Sequence, residues 1–171
     1  MDQLNFLLQN ATSKQDVRRI AILIGNNPAL FGALIDRVFS DDIRKASKAA
    51  WAMSDCVEIY PDLLLKHMRR LGEGLTSEVP VAVKRNIVRV LQYYDLDEQT
   101  AGPVAQACFH FLNNASETVA VKAFSMTVLY NLTLKYPDLG RELRETLHSI
   151  IPNGSPGIRS RAGRILKLLD H

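Results

Sequence analysis

The sequence predicts an all-α chain, an α-α superhelix of about five stacked helix pairs. Three observations predict it. A β-branched residue is followed at once by Arg or Lys, and then by apolar positions at helical spacing, at Val17-Arg18, Ile43-Arg44, Val83-Lys84, Val121-Lys122 and Ile158-Arg159. Successive copies lie 26, 40, 38 and 37 residues apart, and all but the first of these spacings suit a helix-pair repeat. Tyr60-Pro61-Asp62-Leu63 also recurs as Tyr136-Pro137-Asp138-Leu139, 76 residues later, which is two repeats of 38. Proline lacks an N–H and has φ fixed near the helical value, so it ends one helix and opens the next. The tetrapeptide therefore reads as an inter-helix turn.

The elements follow in order from caps and breakers. The first pair covers residues 2–9 and 14–25, where Ser13 with Asp16 three residues on resembles a capping box. The second covers 28–39 and 42–58, with N-cap oxygens offered by Ser40-Asp41-Asp42. The third covers 61–72 and 80–94, and Gly72-Glu73-Gly74 between them reads as a helix stop with Gly in a left-handed cap. The fourth covers 97–113 and 117–135, with Asn114 to Ser116 as the cap of its second helix. The fifth covers 138–151 and 155–169, where Ser155-Pro156 places Pro at the first helical position. Nothing reads as strand, because Val79 to Val83 is interrupted by Pro80 and runs on into helical periodicity.

A helix pair cannot bury its apolar face alone, so neighbouring pairs must stack. Val83, Ile87, Val90 and Leu91 are the expected stacking residues of the third repeat, and Val121, Val128, Leu129 and Leu132 those of the fourth. Trp51, Phe124 and Leu166 are expected in the core as well.

At 171 residues one domain is the default, and such a chain buries a sizeable core without staples. The composition, 47 % apolar and 23 % charged, is that of an ordinary globular protein. Aliphatic stretches such as Ile20 to Ile24 fall far short of the roughly 20 residues that span a bilayer, so no membrane partner is expected. The start Met1-Asp2-Gln3-Leu4-Asn5 has no basic region and no small-residue cleavage site, so a cytoplasmic protein is the expectation. Cys56 and Cys108 are isolated and make neither a disulfide framework nor a metal site; they read as small buried thiols. The glycosylation patterns at Asn10, Asn114 and Asn131 matter only in a secreted chain.

The repeated motif, branched-base-x-x-small-x-x-apolar-Leu-x-x-Leu opened by Asp or Ser, resembles the second helix of HEAT repeats, with armadillo repeats as the close relative. Ile158 to Leu169 and Val121 to Leu132 fit it well, while Val17 to Gly25 is short and Ile43 to Trp51 puts Trp where Leu is usual. The resemblance covers nearly the whole chain. It implies a HEAT-like solenoid over residues 1–171, whose second helices line a concave face. It also implies a non-catalytic scaffold or adaptor that binds a protein partner there, with no cofactor; a few such folds bind nucleic acid instead.

Charge is the feature that points toward a partner. The five motif-bearing segments hold 15 Lys or Arg and 5 Asp or Glu, a net of +10 against −7 for the remainder. Counting from the branched residue of each motif, bases fall at offsets one (Arg18, Arg44, Lys84, Lys122, Arg159), two (Arg19, Lys45, Arg85), five (Lys48), six (Arg89, Arg164) and nine (Lys167). At about 100° per residue these offsets share an arc of roughly 140°. Stacking would turn the arc into a stripe.

Two readings of the stripe compete. In one it is a solvated face, and the first base of each motif pairs with an acid of the adjacent repeat, as the ladder of Asp and Arg in the resembled family implies; Asp41, Asp42 and Glu117 are placed to take part. In the other it is a groove for an acidic protein or a nucleic acid. Aromatics for stacking on bases are sparse there, with Tyr93 and Tyr94 the sole adjacent pair.

Catalytic patterns are thin. Trp51 and Asp55 lie four apart, on one helix face, and are similar to the Trp and Asp pairing of HEAT-like DNA alkylation-repair glycosylases, although this chain has no second Trp. A core Trp and a helix-end Asp explain the same spacing. His67, His110, His148 and His171 are scattered, and Cys108 and His110, two apart, face different directions, so no metal pair is formed. No catalytic residue is assigned.

Overall fold

A computed structural model describes residues 3–170; Met1, Asp2 and His171, named above, lie outside the described residues. The described chain contains helices and turns and no strand. The helices are α1 (Gln3–Asn10), α2 (Lys14–Ile24), α3 (Pro28–Val38), α4 (Ile43–Ile59), α5 (Met68–Gly74), α6 (Val81–Leu91), α7 (Glu98–Asn113), α8 (Val119–Thr133), α9 (Leu139–Ile150) and α10 (Pro156–Leu169). A 3₁₀ segment, Pro61–His67, leads into α5. Both copies of the Tyr-Pro-Asp-Leu tetrapeptide mark a junction between helical elements: Tyr60 closes α4 and Pro61 opens the 3₁₀ segment, while Asp138 stands at the N-cap position of α9 and Leu139 begins it.

The helix starts obey short-range chemistry. Ser13 and Asp16 form a capping box: each side chain accepts a backbone N–H from the other's end of the turn, satisfying donors that a helix start leaves open. Asp42 accepts the N–H groups of Arg44 and Lys45, and Ser155 caps α10 with Pro156 behind it. For α8 the cap is Thr118, not Asn114 to Ser116; Asn114 Oδ1 accepts the Ser116 N–H at 3.0 Å and closes a turn before the helix begins.

The chain forms two compact units, Met1–Val90 and Leu91–His171. In the first, α4 packs against α2 and α3, and α1 against α2 and α4. Ala46, Ala49, Ala50 and Ala52 are all fully buried on α4, and these small side chains let its neighbours approach closely. In the second, α7 packs against α8 and α9, and α10 against α8 and α9. Within each unit, then, motif helices neighbour motif helices, α2 against α4 and α8 against α10, and in the second unit the first helices α7 and α9 are neighbours as well.

Several expectations are corrected by packing. Val17, Val83, Val121 and Ile158 are buried, but Ile43 is 66 % exposed. Its structural counterpart is Ala46, one turn later, because Asp42 starts α4 before the apolar face of that helix begins. With Ala46 as the second copy, the last three spacings become 37, 38 and 37 residues, and the irregular 40 disappears. Trp51, Phe124 and Leu166 are half-buried, not core, since the positions around them that face the neighbouring helices are taken by Ala50, Ser125 and Ile165. Gly74 has no left-handed backbone; it is needed for space, since a Cβ there would come within 2.2 Å of the Phe39 ring. The glycine with positive φ, 51°, is Gly25 at the end of α2, in a region that other residues enter at a cost.

Candidate functional site

The motif helices carry the predicted bases, and in the first unit these gather around carboxylates. Arg18 and Arg19 are exposed on α2, and Arg19 reaches Asp16 at 3.6 Å. Arg44 and Lys45 stand in the first turn of α4, where their N–H groups and charges hold the Asp42 carboxyl below its usual range. Lys48 donates to the Gln9 carbonyl at 2.9 Å. On α6, Lys84 is half-buried and Arg85 exposed, and Arg89 pairs with Glu58 of the preceding motif helix.

Beside that pair lies Asp55. It is 4 % exposed, and its Oδ2 has no hydrogen-bond partner. Burial, then the neighbouring Glu58, pushes its carboxyl up, against the pull of Arg18, Lys14 and Arg89. An ion pair between motif helices is thus made by Arg89, at offset six, and not by the first base of a motif, while Arg18 acts on Asp55 through its charge alone. Asp42 instead caps α4, and Glu117 Oε1 accepts the Thr118 N–H at 2.9 Å. The seam is also joined by a buried polar link, Ser54 Oγ donating to Asn86 Oδ1 at 2.9 Å while Asn86 Nδ2 donates to the Ala82 carbonyl at 2.8 Å.

Trp51 and Asp55 do share the α4 face, but neither matches the core Trp and helix-end Asp of the simpler account: Trp51 is half-buried and Asp55 is enclosed. The histidines are dispersed. His67 packs its ring 5.6 Å from Phe31 and is lowered by burial, while His110 and His148 are exposed. Cys56 and Cys108 are buried thiols, each pushed up to about 12 by burial.

The second unit is different in kind. It holds eight bases and eight acids, yet α8 and α10 contain five of the bases and none of the acids. Arg159, Arg164 and Lys167 are exposed on α10, and Lys122 lines a cleft of about 390 Å³ with Asn153 and Ser155 at the loop before α10. The fifth base, Arg161, was absent from the predicted stripe because offset three lies near 300° on the wheel, outside the basic arc. Its long side chain nevertheless crosses to α8, where Nη1 donates to Thr127 Oγ1 at 2.6 Å. The signal for it is the run of bases in Arg159-Ser160-Arg161-Ala162-Gly163-Arg164.

At the C-terminal ends of α6 and α8 a second cleft, of about 550 Å³, is lined by Tyr93, Tyr94, Leu96, Leu132, Leu134 and Lys135. Among its lining residues Asn131 Nδ2 donates to the Gln92 carbonyl at 2.8 Å, and Lys135 donates to Asp95 at 3.1 Å and to the Leu96 carbonyl at 3.0 Å. Tyr93 and Leu134 are 79 % and 71 % exposed, so two large apolar side chains stand in water at one opening.

No helix among the described residues is long and apolar enough to cross a membrane, and no group of three or more His, Cys, Asp or Glu among them is placed to hold a metal ion. Neither the curated proteins nor the solved structures contain a match to the chain. A family model described as a HEAT repeat domain matches residues 4–169, and with helix pairs, a motif repeating at 37 to 38 residues and layered motif helices in place, the chain belongs to the HEAT repeat domain family.

Proposed function

We propose that this helical-repeat chain is a non-catalytic scaffold that binds a protein partner at the segments that follow two of its motif helices, α6 and α8. The observation that carries the reading is the cleft at Tyr93 and Leu134. Exposed aromatic and aliphatic side chains over an open cleft, rimmed by the Lys135–Asp95 pair, have the make-up of a protein-binding hot spot with a polar rim. The hydrogen bonds of Asn131 to Gln92 and of Lys135 to Leu96 support it, since a preordered surface loses less freedom on binding.

The test is quantitative capture from cell extract by the tagged chain and by a Tyr93→Ala/Leu134→Asp variant of equal thermal stability. Proteins held by the first and lost by the second support the reading. An identical set on both, or none on either, removes it. The nucleic-acid alternative is decided separately, by titrating labelled duplex and single strands at about 50 and about 200 mM salt, where phosphate contacts must weaken steeply. A glycosylase built on Trp51 and Asp55 would have to release an alkylated base with the unmodified protein.

A further inference from the structure

We propose that the α8–α10 face of the second unit binds an acidic peptide segment, with Arg161 and Arg164 as a two-guanidinium clamp and Thr127 as the residue that positions it. The inference rests on the scaffold reading and names the chemistry of its partner.

Charge sorting is the first support. In a unit with as many acids as bases, the two packed motif helices hold only bases, so a positive field stands over their shared face with no acid on either helix to cancel it. Geometry is the second. Arg161 is half-buried and tied by one hydrogen bond to Thr127, and among the described residues no carboxylate forms an ion pair with it or with Arg164. A guanidinium has five N–H donors, so most of those on Arg161 remain available from a side chain already fixed in place. Burial and then the adjacent Arg164 lower the pKa of Arg161, with the Tyr93 phenol as the group that eases it. Two like charges are thus kept together without a counter-ion, and an anion between them relieves both.

Spacing indicates the anion. Residues three apart on a helix have Cβ atoms about 5–6 Å apart, a distance matched by carboxylates one turn apart on a helix or two residues apart on an extended chain. Lys167, one turn beyond Arg164, carries the exposed bases to about 9 Å along α10 from Arg161, while Arg159 lies on another side of the helix. A polynucleotide fits less well. Salt-sensitive duplex binding draws on about 6–10 phosphate contacts, more than this face supplies, and the eight acids elsewhere in the unit repel a longer phosphate backbone.

The experiment uses the full chain and fluorescence anisotropy at low salt with three labelled probes: a ten-residue oligoglutamate, a ten-residue Gln/Ala peptide, and a ten-nucleotide single strand. The expected result is saturable binding of the oligoglutamate and none of the Gln/Ala peptide. Arg161→Gln/Arg164→Gln should weaken it by roughly tenfold or more, as the loss of two charge-assisted contacts implies. Thr127→Val, which leaves net charge unchanged, should weaken it by a smaller factor, and Arg85→Gln in the first unit should leave it unchanged. Arg161→Lys/Arg164→Lys keeps the charge and controls for folding. Oligoglutamate that does not bind, or binds equally to the Gln double variant at matched stability, overturns the proposal, and so does tighter binding of the oligonucleotide. Loss of captured partners in the Tyr93→Ala/Leu134→Asp variant with oligoglutamate affinity intact would leave both ideas standing on separate surfaces; oligoglutamate failure with capture intact would sink the clamp alone.

Discussion

Asp55→Asn should stabilise the protein near neutral pH, and the gain should fade in acid. The carboxylate sits at 4 % exposure with Oδ2 accepting no hydrogen bond, so the ionised form has lost its water without replacement. Arg18, Lys14 and Arg89 return part of that loss, but burial and Glu58 outweigh them, because the net displacement of the carboxyl is upward. A neutral amide of the same shape avoids the desolvation of a charge, and a net gain of about 1 kcal/mol is reasonable for replacing a partly compensated buried anion. For a chain of this size that is roughly 2–4 °C in Tm. The pH dependence gives the sign. A carboxyl raised in the folded state binds its proton more tightly there than in the unfolded chain, so the penalty is full above the folded pKa and disappears as pH falls toward the unfolded value of 3.8. Wild type and variant should therefore differ at about pH 7.5 and converge at about pH 4 in urea unfolding. A destabilised variant, or a gain of equal size at both pH values, would refute the reasoning, the first by showing that the bases depend on Asp55 and the second by showing that charge is not the cause.

The other predictions concern the frame around the sites. Asn86→Ala should cost about 1–3 kcal/mol because it strips a partner from the buried Ser54 hydroxyl, and a double-mutant cycle with Ser54→Ala should recover part of the loss; additive effects would mean that the link is not formed. Phe31→Ala removes a fully buried ring packed on His67 and should cost about 3–5 kcal/mol by chemical denaturation. Ser13→Ala breaks the α2 capping box and should cost about 1 kcal/mol; Asp16, held at about 2 by the Thr12 and Ser13 bonds, contributes stability above pH 3.8 that is lost as pH falls toward 2, so an acid limb of the stability curve should shrink in the variant. Cys56 and Cys108 should resist a thiol reagent until the protein opens, their labelling rate rising with denaturant; rapid labelling of the native protein would contradict their burial.

The helices were legible because their causes are local. Ser13, Asp42 and Ser155 act on the next three residues, and Pro61 and Pro137 break the chain where they stand, so ten helices could be placed from adjacent letters. The HEAT-type repeat was legible for a related reason: each copy must present the same apolar face to its neighbour, so the pattern recurs in the sequence. What depended on neighbours distant in sequence was misread. The second motif was set at Ile43 because it looks like the others, and only contact with α2 and α3 shows that Ala46 takes the buried place. Trp51, Phe124 and Leu166 read as core residues for their size, though Ala50, Ser125 and Ile165 hold the close-packed positions. A wheel treats a side chain as a direction and ignores its length, so it leaves Arg161 outside the stripe although its reach carries it to Thr127. The sequence alone therefore determined the helices, their pairing and the sorting of charge, all set by short-range chemistry and periodicity. Only the tertiary structure decided which bases meet an acid, as Arg89 meets Glu58, and which are held together without one, as Arg161 and Arg164 are, because that depends on what the packed neighbour presents.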